Sequence, residues 1–161
     1  MAISVLQKCN VTTTEILTGD DLVANTTILH SGYDINRTLD ASSTPNATKC
    51  AYQTVTMSGG AGTINLTSLL LNSVAVTFDG LKPRSILITA LTGNSGNVTV
   101  TKAVSNGYDG MGSAFSVVLE PGQSFLFEFY TAGNAVSSSN RDLTLAGTGT
   151  DGVRLSTVAG T

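Results

Sequence analysis

An enzyme or a metalloprotein needs a positioned acid, base, nucleophile or ligand set, and this 161-residue chain offers few residues of those types. Its single histidine, His30, ends an expected strand over Asp21–His30, where a surface or hydrogen-bonded imidazole is the expected role. Cys9 and Cys50 together with one histidine fall short of a zinc set. Free thiols in a reducing compartment are the expected state of both cysteines, with a disulfide left open for an oxidising medium. The carboxylates group only as Asp20-Asp21, Asp34 with Asp40, and Asp109. None follows the alternating spacing of a calcium loop, so turn and cap roles are predicted. Ser58-Gly59-Gly60-Ala61-Gly62 and Gly147-Thr148-Gly149 have no following helix to cradle a phosphate. No catalytic residue, metal ligand or cofactor is predicted, and the chain is read as a non-enzyme.

The elements that would carry any site are strands. Only 12% of the chain is charged, against roughly 25% in an average globular sequence. Hydroxyls, amides and 17 glycines replace the missing charge, a mixture that favours strands joined by turns. Alternation is explicit at several places. Val98 and Val100 alternate with Thr99 and Thr101, and Val74, Val76 and Phe78 with Ser73, Ala75 and Thr77. Phe115, Val117 and Leu119 line one face of a strand, and Phe125, Phe127 and Phe129 one face of the next. Those last three rings are the expected centre of the core. Ser85–Leu91 is apolar on both faces, as in a central strand covered on both sides.

Turn chemistry punctuates these runs at Asp79-Gly80, Gly93-Asn94, Asn106-Gly107, Asp109-Gly110, Pro121-Gly122 and Gly133-Asn134. Pro121-Gly122 predicts a hairpin between the Phe115–Leu119 and Ser124–Tyr130 strands. The final strands fall at Leu143–Ala146 and Val153–Val158. In the first third, Val11–Leu17, Asp21–His30 and Ala51–Met57 are candidate strands, Ser42–Thr48 is a polar loop, and Thr67–Asn72 is a candidate helical turn. Strand signals at this spacing predict an all-β fold, a single antiparallel β-sandwich of jelly-roll type over residues 1–161. Residues 1–10 are expected as an N-terminal arm, because an apolar terminus whose only charged side chain is Lys8 gains by packing on a neighbour.

Net charge is −3 and the eight Lys and Arg are scattered, which argues against a nucleic-acid partner. Met1–Lys8 has no basic segment followed by an apolar run, so a secretory signal is not expected. Leu69-Leu70-Leu71 is far short of a membrane span, which argues against a membrane partner. Asn-x-Thr occurs at Asn10, Asn25, Asn36, Asn46, Asn65 and Asn97. With no signal expected, these read as exposed strand and turn positions and not as glycan acceptors.

From Ile86 onward the chain resembles a group of small β-rich structural proteins of tailed phages and prophages. The matching pieces are Gly93-Asn94, Ser105-Asn106-Gly107-Tyr108, Gly112-Ser113-Ala114-Phe115, Leu119–Ser124 and Leu143–Gly149, and the opening Met1–Lys8 is similar too. The resemblance implies a virion protein assembled in the host cytoplasm, a decoration or cement protein on the outside of the capsid. Its implied partners are the major capsid protein and further copies of itself, a trimer being favoured. Met1, Ala2, Ile3, Val5 and Leu6 are the expected interface residues. The alternative is a carbohydrate- or receptor-binding module of a tail or spike, for which Tyr33, Tyr52, Tyr108 and Tyr130 are the available aromatics.

Overall fold

The computed structural model describes residues 4–17, 26–129 and 134–161, with backbone alone for 5–17 and 26–37. Among the described residues every regular element is a strand. β1 (Ser4–Leu17) and β2 (Thr26–Asp40) form an antiparallel two-stranded ribbon. The other ten strands make two sheets: β3 (Lys49–Thr56), β4 (Ala61–Asn65), β5 (Leu69–Leu71), β6 (Val74–Val76), β7 (Lys82–Ala90), β8 (Val98–Lys102), β9 (Ser116–Leu119), β10 (Ser124–Glu128), β11 (Asp142–Ala146) and β12 (Gly152–Gly160). One sheet has the order β10-β7-β12-β3-β5-β6, the other β4-β11-β8-β9. All pairings are antiparallel except the single bridge of β3 to β5 at Tyr52–Leu71.

The two sheets share one apolar cluster. Ile86 and Ile88 of β7 and Leu155 of β12 come from the larger sheet, Val98 and Val100 of β8 and Leu143 and Leu145 of β11 from the smaller. All seven side chains are fully buried. Alternation explains the sidedness, since Val98/Val100 and Leu143/Leu145 each sit two residues apart with threonine between them. β7 is an interior strand, flanked by β10 and β12, as its apolar run predicted. Its outward Leu87 and Thr89 are half-buried, so cover on that side is partial. The buried Thr157 hydroxyl donates to the Ser85 carbonyl at 2.7 Å, which leaves that polar group satisfied.

Four expectations are corrected here. Pro121-Gly122 makes a tight turn, with Gly122 at φ +84° and the Gln123 amide donating to the Glu120 carbonyl at 2.9 Å. The strands it joins do not pair: β9 belongs to the four-stranded sheet beside β8, and β10 to the six-stranded sheet beside β7. The turn is instead clamped to the end of β7, where Gly122 donates to Ala90 and Ala90 to Gln123. Second, Phe125, Phe127 and Phe129 face the core from an edge strand, and the first two are only partly buried. They form a ladder of tilted rings, with Phe125–Phe127 centroids 6.3 Å apart and Phe127–Phe129 4.7 Å apart, that closes the margin of the core. Third, Thr67–Asn72 is not helical. Asn65 Oδ1 accepts from the Thr67 amide and hydroxyl, and this local turn feeds straight into β5. Fourth, Val74 is exposed, while Val76 packs on the core and Phe78 lies buried within it.

Crossing between sheets is the rule: β3 to β4, β4 to β5, β7 to β8, β9 to β10, β10 to β11 and β11 to β12 all change sheet. Side chains fasten these crossings. Asp151 accepts the Ser95 amide at 2.7 Å and the Gly96 amide at 3.1 Å, and Asn94 exchanges two hydrogen bonds with the Gly152 backbone. The β7–β8 and β11–β12 crossings are thereby locked together. At Tyr108 the buried hydroxyl donates to the Asn134 backbone carbonyl at 3.1 Å, and the Asn134 side chain donates from Nδ2 to Asp109 Oδ1 at 2.7 Å.

This sidedness predicts unequal costs for two alanine substitutions on neighbouring strands. Ile88→Ala should destabilise by about 2–5 kcal/mol, whereas Leu126→Ala, at an outward position, should cost under about 1 kcal/mol. Urea unfolding of the two variants checks it, and equal losses would refute the assignment of faces.

Candidate interaction surface

The feature that stands outside the two sheets is the ribbon. β1 and β2 pair only with each other among the described residues. The register runs Val5–Leu39, Leu6–Thr38, Gln7–Arg37, Lys8–Asn36, Cys9–Ile35, Asn10–Asp34 and Val11–Tyr33. A bulge lies between Val11 and Thr13, and pairing then continues through Thr13–His30 to Leu17–Thr26. The period of two separates the first half of the ribbon into two rows of positions. One, mainly apolar, contains Val5, Gln7, Cys9, Val11, Tyr33, Ile35, Arg37 and Leu39, and the other, mainly polar, Leu6, Lys8, Asn10, Asp34, Asn36 and Thr38.

Leu39 roots the apolar row. It is fully buried against Ala47 and Val158, with Cys50 packed alongside. Val158 and Cys50 are paired residues of β12 and β3, at outward positions of the six-stranded sheet. The loop that follows holds this root in place. Asp40 accepts the Ser42 hydroxyl at 2.7 Å and the Ser42 and Ser43 amides at 2.8 Å each. Thr48 donates to the Ala159 carbonyl, and the buried Arg84 donates from Nε to the Asn46 carbonyl and from Nη2 to the Thr161 carbonyl. Gly160 allows this close approach: a Cβ there would lie 2.2 Å from the Asn46 carbonyl oxygen.

Beyond the root, the outer face of the six-stranded sheet is partly exposed. Register aligns Leu126 of β10, Leu87 of β7, Ser156 of β12 and Tyr52 of β3 in one row across four strands. Leu126 is 45% exposed and Tyr52 46% exposed. The Arg154 guanidinium lies 5.9 Å from the centre of the Tyr52 ring, within cation–π range. On the other side of the row come Glu128, Ser85, Val158 and Cys50, the last two covered by the ribbon root. Two small clefts flank the root. One of about 270 Å³ is lined by Lys49, Cys50 and Leu71 among others, and Lys49 Nζ donates to the Thr77 carbonyl at its rim. The other, about 370 Å³, is polar and includes Ser43, Asn46, Lys82 and Arg84.

Of the expected interface residues, Val5 and Leu6 lie in β1 opposite Leu39 and Thr38, while Met1, Ala2 and Ile3 lie outside the described residues. His30 and Asp34 stand at ribbon positions opposite Thr13 and Asn10, and Asp20-Asp21 and Tyr130 lie outside the described residues. Cys50 is a free thiol. Among the described residues no group of three or more His, Cys, Asp or Glu is placed to hold a metal ion. Of the tyrosines, Tyr108 is wholly buried, which removes it as a contact residue and corrects its inclusion among the available aromatics. Asn97 is exposed, whereas Asn46 and Asn65 are half-buried and hydrogen-bonded. The sequence reading did not single out Leu39, Leu87 and Leu126. The alternation of Tyr33, Ile35, Arg37 and Leu39 with Asp34, Asn36 and Thr38 was the available signal for the second ribbon strand. No protein-family model, curated protein or solved structure matches this chain.

The surface therefore offers non-covalent binding through exposed leucine, tyrosine and backbone edges. Its root carries a pH signature. The hydrogen bond from the Ser42 hydroxyl, joined by the Ser42 amide, holds the Asp40 carboxyl below its ordinary value. A carboxyl depressed in the folded state stabilises at pH above the unfolded value of about 3.9, and that contribution disappears as pH falls through the folded value. Asp40→Asn should lower the melting temperature at pH 7, and the gap to the unsubstituted protein should close below about pH 4. A gap that stays constant from pH 7 to pH 3 would contradict this assignment.

Proposed function

We propose that this chain is a structural protein of a tailed-phage virion, a decoration protein that binds the outside of the head shell and stabilises it. The observation that carries the reading is the rooted two-stranded ribbon beside a partly exposed sheet face. A hairpin alone is marginally stable in water, so a ribbon whose strands find no third strand among the described residues is suited to completion by a neighbour. The resemblance of Met1–Lys8 and of the turns from Gly93 onward to small virion proteins supports the same reading. On this reading the two sheets are the faces of a jelly-roll-like sandwich, and the protein is a binder without catalytic activity. Its partners are the major capsid protein and further copies of itself, with a trimer favoured. Assembly takes place in the host cytoplasm and the product resides on the capsid surface. Binding free energy across capsomer boundaries adds to the cost of separating the shell.

A second reading, a carbohydrate- or receptor-binding module of a tail or spike, is favoured by one observation. Tyr52 is a half-exposed aromatic with the cationic Arg154 beside it. A stacking platform of that kind suits a sugar ring.

Adding purified protein to expanded, DNA-filled capsids that lack it separates the two readings. Decoration predicts ordered density on the outer shell by cryo-electron microscopy and a raised temperature of shell disruption. Bare shells together with glycan binding that Tyr52→Ala abolishes would establish the second reading in its place.

A further inference from the structure

We propose that the apolar row of the ribbon docks on the outer face of the six-stranded sheet of a second copy of this chain. The inference goes beyond the virion reading and stands or falls without a capsid.

Reach comes first. A strand of 14 residues extends about 48 Å at 3.4 Å per residue. A compact body of the remaining roughly 120 residues has a radius of gyration near 14 Å, hence a diameter of about 35 Å. The ribbon is therefore longer than the body it springs from is wide, and its own sheet is too short to serve it along its whole length. Among the described residues neither ribbon strand pairs with another sheet, and Tyr52 and Leu126 are left about half exposed.

The chemistry of the contact is already displayed once. Leu39, a member of the apolar row, is fully buried on the outward residues Val158 and Cys50 of the six-stranded sheet. Val5, Cys9, Val11, Tyr33 and Ile35 continue that row along the ribbon. Leu87, Tyr52 and Leu126 continue the outer face one row further. Both surfaces are pleated with the same spacing of about 7 Å between rows, so their apolar positions can interleave over several rows. The one charged position of this row in the first half of the ribbon is Arg37, and the outer face carries Glu128 in the row on one side of Leu126 and Arg154 in the row on the other. Row and face thus occur on the same chain, and a second copy offers each the matching surface. Because the two surfaces differ, the contact is head-to-tail, and a rotation that closes it gives a ring.

Head-to-tail geometry gives a test that a general loss of folding does not mimic. One variant carries Tyr52→Glu and Leu126→Glu on the sheet face, and the other carries Val11→Glu and Ile35→Glu on the ribbon. Sedimentation of the full-length protein should show an oligomer, and each variant alone should run as the 16.5 kDa chain with its dissociation constant raised at least tenfold. Mixed in equal amounts, the two should form a dimer, since one intact ribbon and one intact face remain in the pair. Circular dichroism of each variant identifies any that has unfolded, and single substitutions at the same positions then replace it. A protein that is monomeric at all concentrations, variants that leave the oligomer intact, or a mixture that stays monomeric would each overturn the proposal. Capsid binding by a protein that fails these tests would leave the decoration reading standing, so the two are distinguishable.

Discussion

The two sheets depend on the one apolar cluster to which β7 and β12 of the larger and β8 and β11 of the smaller all contribute. Ile86, Ile88 and Leu155 on one side and Val98, Val100, Leu143 and Leu145 on the other exclude water completely. Each of these strands spends alternate residues on that cluster, which leaves the outward residues of the larger sheet free for another task. The repeated crossing of the chain between sheets follows from the same requirement, since neither sheet can bury its apolar face alone. Asp151 and Asn94 hold the crossings together where turns could otherwise splay.

The ribbon obeys a different constraint. It has one buried residue of known partners, Leu39, and a root fixed by Asp40, Arg84 and Thr48. A firm root beneath a strand pair that takes no third strand among the described residues gives a ribbon fixed at one end. The alternating pattern that makes a half-buried strand in a sheet recurs in the ribbon, whose two strands pair only with each other among the described residues.

How much of this was legible in the sequence differs by element. Val98/Val100 and Phe115/Val117/Leu119 declared their faces, because alternation depends only on neighbours in the chain. Pro121-Gly122 declared its turn but not the partners of the flanking strands, since pairing is decided by which sheet each strand joins across the core. The short Leu69–Leu71 run gave no period at all, and the Asn65 side chain set its entry in place of helical propensity. The arm was expected over residues 1–10 from the apolar character of its opening. Its second strand went unread beyond His30, because Gly32, Asp34 and Asn36 lower strand propensity although their spacing keeps the period of two. The outer-face row of Leu126, Leu87 and Tyr52 is a product of register across strands distant in sequence, which no local pattern reveals.

The central claim is that the ribbon is held by its root and completed by a neighbour. Amide hydrogen exchange read by mass spectrometry tests it most directly, comparing dilute monomeric protein with the assembled form. The account predicts fast exchange over residues 4–17 and 26–37 in the monomer beside slow exchange in β7, β8, β11 and β12, with the ribbon amides becoming protected on assembly. Ribbon amides as slow as those of the core in the monomer, or unchanged on assembly, would contradict it.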